Sequence, residues 1–221
     1  MRFAITASLL IAFCSAGSWA DDTAAIRKQA ESGDAAAQFE LGRYFAREAG
    51  KTDSEKRALR DQKRAYDWYA KSAEQGHAEA QFALGQMYLL GQGVAKDKSQ
   101  GVDWQVKAAL QGLADAQFEV GMQYLSGAIL EQDLQAALDL LTRAANQRHV
   151  PAQKQLGTMY FQGAGVGKDL VQAHIWFSAA DLCGDKAARG YLPMLESIMD
   201  EAQIDEAHAL AEQWRSEFND E

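Results

Sequence analysis

Residues 78–113 read AEAQFALGQMYLLGQGVAKDKSQGVDWQVKAALQGL, and the length of this stretch, 36 residues, is the period of the chain. Trp68, Trp104, Leu140 and Trp176 stand one period apart. Gly85, Gly121 and Gly157 keep the same step, as do Tyr88, Tyr124 and Tyr160, then Gly91, Gly127 and Gly163, then Asp97, Asp133 and Asp169. A fixed period of this size marks a solenoid, in which each unit completes its neighbour's core. Residues that recur in every unit are therefore expected to be structural.

Each unit carries two helical patterns. Ala80, Leu84 and Tyr88 fall at i, i+4 and i+8 and form one apolar stripe. Gly85 sits beside that stripe, where glycine costs about 1 kcal/mol relative to alanine. Its recurrence predicts a neighbouring helix close to the bare backbone. Gly91 is expected to end the helix in a left-handed conformation, with Val94 returning to the core. Asp97 is placed to cap the second helix. In that helix Gly101, Trp104 and Ala108 share a face, with Trp104 as the large buried member and the two small residues making room for it.

The same pattern divides the chain. Residues 1–20 read as a signal peptide: Arg2, an apolar run from Phe3 to Cys14, and Ser18-Trp19-Ala20 with small residues at the cleavage positions. Cleavage after Ala20 removes Arg2 and takes the formal charge from −9 to −10. Residues 21–33 form an N-terminal capping helix. Four repeats follow at 34–77, 78–113, 114–149 and 150–184. Residues 185–221 supply C-terminal capping helices and a tail, with a break near Pro193. Leu192, Leu195, Ile198 and Met199 are expected to seal the open end, followed by an amphipathic run of Ile204, Ala207, Leu210, Ala211 and Trp214. Gly42 to Trp68 spans 26 residues against 19 from Gly85 to Trp104, so the first repeat holds a seven-residue insertion around 46–61. Ile129 replaces a turn glycine and Leu140 replaces tryptophan in the third repeat, so that turn must differ.

These residues together resemble the Sel-1-like repeat, a branch of the tetratricopeptide-type solenoids. The resemblance rests on 78–88, Gly91-Gln92-Gly93-Val94, Asp97 and Trp104 with Lys107-Ala108-Ala109, and it covers about residues 22–184. It implies an all-α, right-handed α-solenoid of helix-turn-helix repeats and a role in holding other proteins together. Bacterial members of this family are often exported.

Composition and motifs narrow the chemistry. A net charge of −9 argues against a large nucleic-acid footprint, and no stretch of the mature chain is long enough to span a bilayer. The glycine turns lack the strand or the Gly-Lys-Ser/Thr that phosphate loops need. His77 and His149 occupy the same slot two repeats apart, too far to share a metal. His174 is accounted for by packing or exposure, and His208 completes the set of four histidines. Neither a metal site nor a cofactor nor a catalytic residue is expected. No serine is followed three residues later by lysine, which weighs against a penicillin-binding or β-lactamase-like nucleophile. Cys183 is the one cysteine left after cleavage and reads as a small buried apolar group. Two features bear on a protein or peptide partner. Phe39, Phe82 and Phe118 recur at one position, either as inter-repeat packing or as an aromatic ladder along the groove. Arg57, Arg60 and Arg64 concentrate positive charge in the insertion. The function expected is an exported, non-enzymatic interaction scaffold of the bacterial envelope, periplasmic or secreted. The alternative is an envelope hydrolase acting on peptidoglycan or β-lactams.

Overall fold

The computed structural model describes residues 19–219, with side chains from 23 to 216. The signal-peptide reading therefore falls almost entirely outside the described residues. Those described form twelve helices and no strand. They are α1 (Trp19–Glu31), α2 (Ala35–Lys51), α3 (Glu55–Glu74), α4 (Ala78–Leu90), α5 (Lys98–Leu110), α6 (Ala114–Ser126), α7 (Leu134–Asn146), α8 (Val150–Gln162), α9 (Leu170–Leu182), α10 (Lys186–Arg189), α11 (Leu192–Glu196) and α12 (Glu201–Asn219). From α1 to α9 each helix packs on the next in chain order, and α10, α11 and α12 close over α9. The result is an all-α solenoid built from the pairs α2–α3, α4–α5, α6–α7 and α8–α9. Among the described residues no helix is long and apolar enough to cross a membrane.

The periodic residues account for where the helices begin and end. Asp97, Asp133 and Asp169 each accept hydrogen bonds from backbone N–H groups in the first turn of α5, α7 and α9. Their own N–H groups donate to the carbonyls of Tyr88, Tyr124 and Tyr160 at 2.9, 3.0 and 3.0 Å, so one aspartate both closes the turn and starts the helix. Gly91, Gly127 and Gly163 end α4, α6 and α8 at φ of 76°, 66° and 74°, where any side chain would be strained. The third turn differs as expected. Gly93 and Gly165 also have positive φ, at 70° and 77°, whereas Ile129 stays out of that region. Gly76, Gly112 and Gly184 have left-handed backbones after α3, α5 and α9. In the third repeat that place falls to Arg148, at φ 66°.

The helix-interior glycines are contact points. A Cβ on Gly85 would stand 2.7 Å from the Gly101 carbonyl oxygen and 2.8 Å from Gln105 Cγ. On Gly121 it would meet Leu141, on Gly157 Phe177, and on Gly42 Tyr69. The residue that fills the core is thus the one after the periodic tryptophan position. This corrects the expectation for Trp104, which is only half-buried, with Lys107 Nζ 3.7 Å from its ring centre. Trp68 is likewise half-buried beneath Lys71, and Gly101 makes room for Leu89.

A glutamine lock joins the repeats. Gln38, Gln81, Gln117 and Gln153 are buried. Each donates through Nε2 to a carbonyl on the preceding unit, respectively Ala30, Ala73, Ala109 and Ala145. The first three accept in turn from Gln75, Gln111 and Gln147, each at 2.7 Å, from the C-cap of the following helix. In the fourth unit that C-cap is Cys183, half-buried rather than fully buried, and Gln153 Oε1 has no hydrogen-bond partner among the described residues.

The insertion is helical. It lengthens α2 to 17 residues and α3 to 20, against 13 for α4 and α5, and shortens the loop between them. At the far end Leu195, Met199 and Ala207 are buried against α9, with Pro193 in the first turn of α11. Ile198 does not join them; it is exposed.

Candidate functional site

Arg57, Arg60 and Arg64 lie on the extended half of α3 and converge on one carboxylate. Asp61, almost fully buried, has the three guanidinium groups at 3.6, 3.5 and 3.3 Å. Arg57 also reaches Glu48 of α2 at 3.8 Å, and Arg64 lies 5.2 Å from the Phe45 ring centre. Each arginine remains about half exposed, so Asp61 orders the cluster and leaves an excess of positive charge facing water. Beside it, α2, α3 and α4 enclose a hollow of about 250 Å³ lined by Ala46, Ala49, Gln62, Ala65, Gln86 and Met87. Leu59, 56% exposed, adds an apolar contact on the same extension.

The phenylalanines sit elsewhere, in successive seams between repeats. Phe39 stacks on His77 at 4.9 Å between ring centres and lies 5.7 Å from Tyr69. Phe118 packs on His149 at 4.8 Å. Phe82 and Leu113 pack on a common cluster of Ala108, Ala109, Ala116 and Val120. His77, Leu113 and His149 are the N-cap residues of α4, α6 and α8. The repeating aromatic therefore leans on the start of the next unit. In the fourth unit Lys154 takes that place and pairs with Asp185, the N-cap of α10, at 3.0 Å. The Lys154 hydrogen bond and the N–H groups of Ala188 and Ala187 hold the Asp185 carboxyl below its ordinary pKa.

The arginines and phenylalanines thus do not form one site. The extension presents charge; the seams present the half-exposed edges of rings. His77 and His149 stand at separate helix caps, His77 3.3 Å from Glu79 and His149 3.2 Å from Asp115. Sequence reasoning missed Asp61 as the organising carboxylate, because a charge run read along the chain does not show which carboxylate is buried. Its position four residues after Arg57 and three before Arg64, on one helix face, was the available signal.

The Sel1 repeat pattern matches four times, at residues 35–77, 78–113, 114–149 and 150–182. No curated protein matches the chain. Among solved structures, a protective antigen present in uropathogenic Escherichia coli strains, displaying an SLR fold, superposes with a TM-score of 0.71 at 35% identity. The alignment covers 79% of this chain and 36% of that one. A Sel1 repeat protein from Oxalobacter formigenes gives a TM-score of 0.70 at 34% identity, covering 79% of this chain and 49% of the other. The chain therefore spans between about a third and a half of the length of these structures.

Proposed function

The chain belongs to the Sel1 repeat family, and from that premise we propose that it is an exported, non-enzymatic scaffold or adaptor of the bacterial envelope. Four Sel1 repeats imply protein–protein interaction. The observation that carries the proposal is the uninterrupted stack of helix pairs, whose seams are closed by the protein's own glutamines and aromatics. Such a stack leaves an extended outer surface free for a partner. The export half of the reading rests on Arg2, the apolar run and Ser18-Trp19-Ala20. A protective antigen among the similar structures is in keeping with it.

The contact surface is assigned first to Arg57, Arg60 and Arg64 with the adjoining hollow, which suit an acidic protein or peptide. Phe39, Phe82 and Phe118 contribute ring edges secondarily, their other faces being held in the seams. The test is cross-linking of residues 21–221 in the periplasm, followed by binding to the identified partner. Changing Arg57, Arg60 and Arg64 to Glu should slow association with an acidic partner and remove the weakening by salt that the parent should show. Equal association rates for the two proteins would remove the extension as the site.

The hydrolase alternative has one observation in its favour. Ser178 Oγ lies 3.4 Å from His174 Nδ1, and His174 Nε2 lies 3.1 Å from Glu196. The first distance is at the outer limit of a hydrogen bond. Turnover of a peptidoglycan or β-lactam substrate by the purified chain, lost in Ser178→Ala, would replace the scaffold reading.

A further inference from the structure

At the C-terminal end three side chains from three helices meet. His174 of α9 is buried, Glu196 ends α11 and His208 lies on α12. Glu196 Oε1 is 3.1 Å from His174 Nε2 and 3.0 Å from His208 Nε2. The three ligand atoms all lie within 4.8 Å of one another. The two rings are 5.4 Å apart between centres and tilted by 55°. The group opens onto a hollow of about 260 Å³ that Ser178, Asp181, Leu192, Glu212 and Arg215 also line. Arg215 is paired with Glu212 at 2.9 Å and Asp181 with Arg189 at 2.9 Å, so the flanking charges are already matched.

We propose that His174 Nε2, Glu196 Oε1 and His208 Nε2 bind a divalent transition-metal ion of the zinc class. In a tetrahedral site with ligand bonds of ~2.0–2.1 Å, ligand atoms stand about 3.3 Å apart. Both nitrogen–oxygen separations are already near that value. Two imidazoles favour zinc-like ions over magnesium or calcium, which take oxygen ligands. Ser178 Oγ, 3.4 Å from His174 Nδ1, can hold a proton on that nitrogen and leave Nε2 to the metal. His208 is half exposed, so its ring is free to adjust. The three residues line the hollow, so water or a partner's ligand could reach an ion held there. Coordination would tie α9, α11 and α12 together and fasten the terminal cap onto the last repeat. The ligands are separated by 22 and 12 residues, so no compact motif announces them.

The test uses the full chain without a polyhistidine tag. Zinc affinity is measured by competition with a chromophoric chelator, and geometry by the visible absorption of the cobalt(II) form. One equivalent is expected, undisplaced by excess magnesium. His208→Ala and Glu196→Gln should each weaken binding by at least about 10-fold, with circular dichroism unchanged. Zinc should also slow amide exchange in α12 of the parent and not of His208→Ala. Absence of stoichiometric binding, or affinity in both variants equal to that of the parent, would overturn the proposal. So would zinc-independent labelling of Ser178 by a fluorophosphonate, which would assign the same residues to a serine nucleophile.

Discussion

Replacing Cys183 by glutamine should stabilise the protein. In the first three repeats a glutamine at the C-cap of the second helix donates to the buried glutamine of the first, at 2.7 Å each time. The fourth repeat has Cys183 at that C-cap, and Gln153 Oε1 lies buried with no partner among the described residues. A buried acceptor left unsatisfied costs about 1–3 kcal/mol. Ordering a new glutamine side chain returns up to roughly 1.5–2 kcal/mol when it is fully fixed. The equivalents Gln75, Gln111 and Gln147 are exposed residues, so the ordering penalty should stay below that ceiling. The expected net gain is about 1 kcal/mol.

Gln147→Cys supplies the reverse experiment, since it recreates in the third repeat the defect of the fourth. It should lose a similar amount. Urea unfolding followed by tryptophan fluorescence gives the free energies. Amide exchange in α8 and α9 guards against loss of two-state behaviour, to which repeat arrays are prone. A Cys183→Gln protein no more stable than the parent, alongside a Gln147→Cys protein that loses about 1 kcal/mol, would refute the reasoning. It would mean that the fourth repeat satisfies Gln153 by another route.

Gly85→Ala should destabilise by about 1–3 kcal/mol despite better helix propensity, because its Cβ meets the backbone carbonyl of Gly101 at 2.7 Å. Gly121→Ala should be milder, since its nearest obstacle is the Leu141 side chain at 3.0 Å; equal melting shifts would contradict this ordering. Arg148→Gly should stabilise by about 1 kcal/mol in a urea melt by removing the side-chain penalty at φ 66°. Tyr69, through burial, and Tyr88, through its hydrogen bond to the Tyr66 hydroxyl, are both pushed up from 10.0 to about 12. Because folding raises both values, their contribution to stability is complete below pH 10.0 and lost as pH rises to about 12. Absorbance titration should show two of the seven tyrosines ionising last, and one fewer in Tyr66→Phe, where Tyr88 loses its hydrogen bond.

Periodicity carried most of the fold because the caps are local. An aspartate three residues before the N–H it accepts from, or a glycine that must turn left-handed, is decided within one turn of chain. Gly91, Asp97 and their repeats were therefore legible. Which face of a helix points at which neighbour is a property of two helices. In α5, Trp104 and Gln105 differ by ~100° on the helix. The long aromatic drew the core assignment that Gln105, opposite Gly85, in fact holds. Gln81 was invisible for the same reason: its donors and acceptors lie 8 and 30 residues away, on other helices. The arginines of the extension were legible as a charge run, but the single buried carboxylate that gathers them was not.

The fourth seam differs from the three before it in kind. Its aromatic is replaced by Lys154, paired with Asp185 at a partly exposed surface where ion pairs contribute little. Its glutamine lock is half made. What holds the end instead is α12 packed along α9, Leu195 and Ala207 fully buried, and Phe177 stacked on Tyr191 at 4.5 Å. Stability in a solenoid is close to a sum over units and interfaces, and opening begins where an interface is weakest. The C-terminal cap therefore depends on contacts that no other repeat supplies, and His174, Glu196 and His208 bridge the same three helices that must stay together. An ion placed there would reinforce the one seam in which the repeated devices of the array have lapsed.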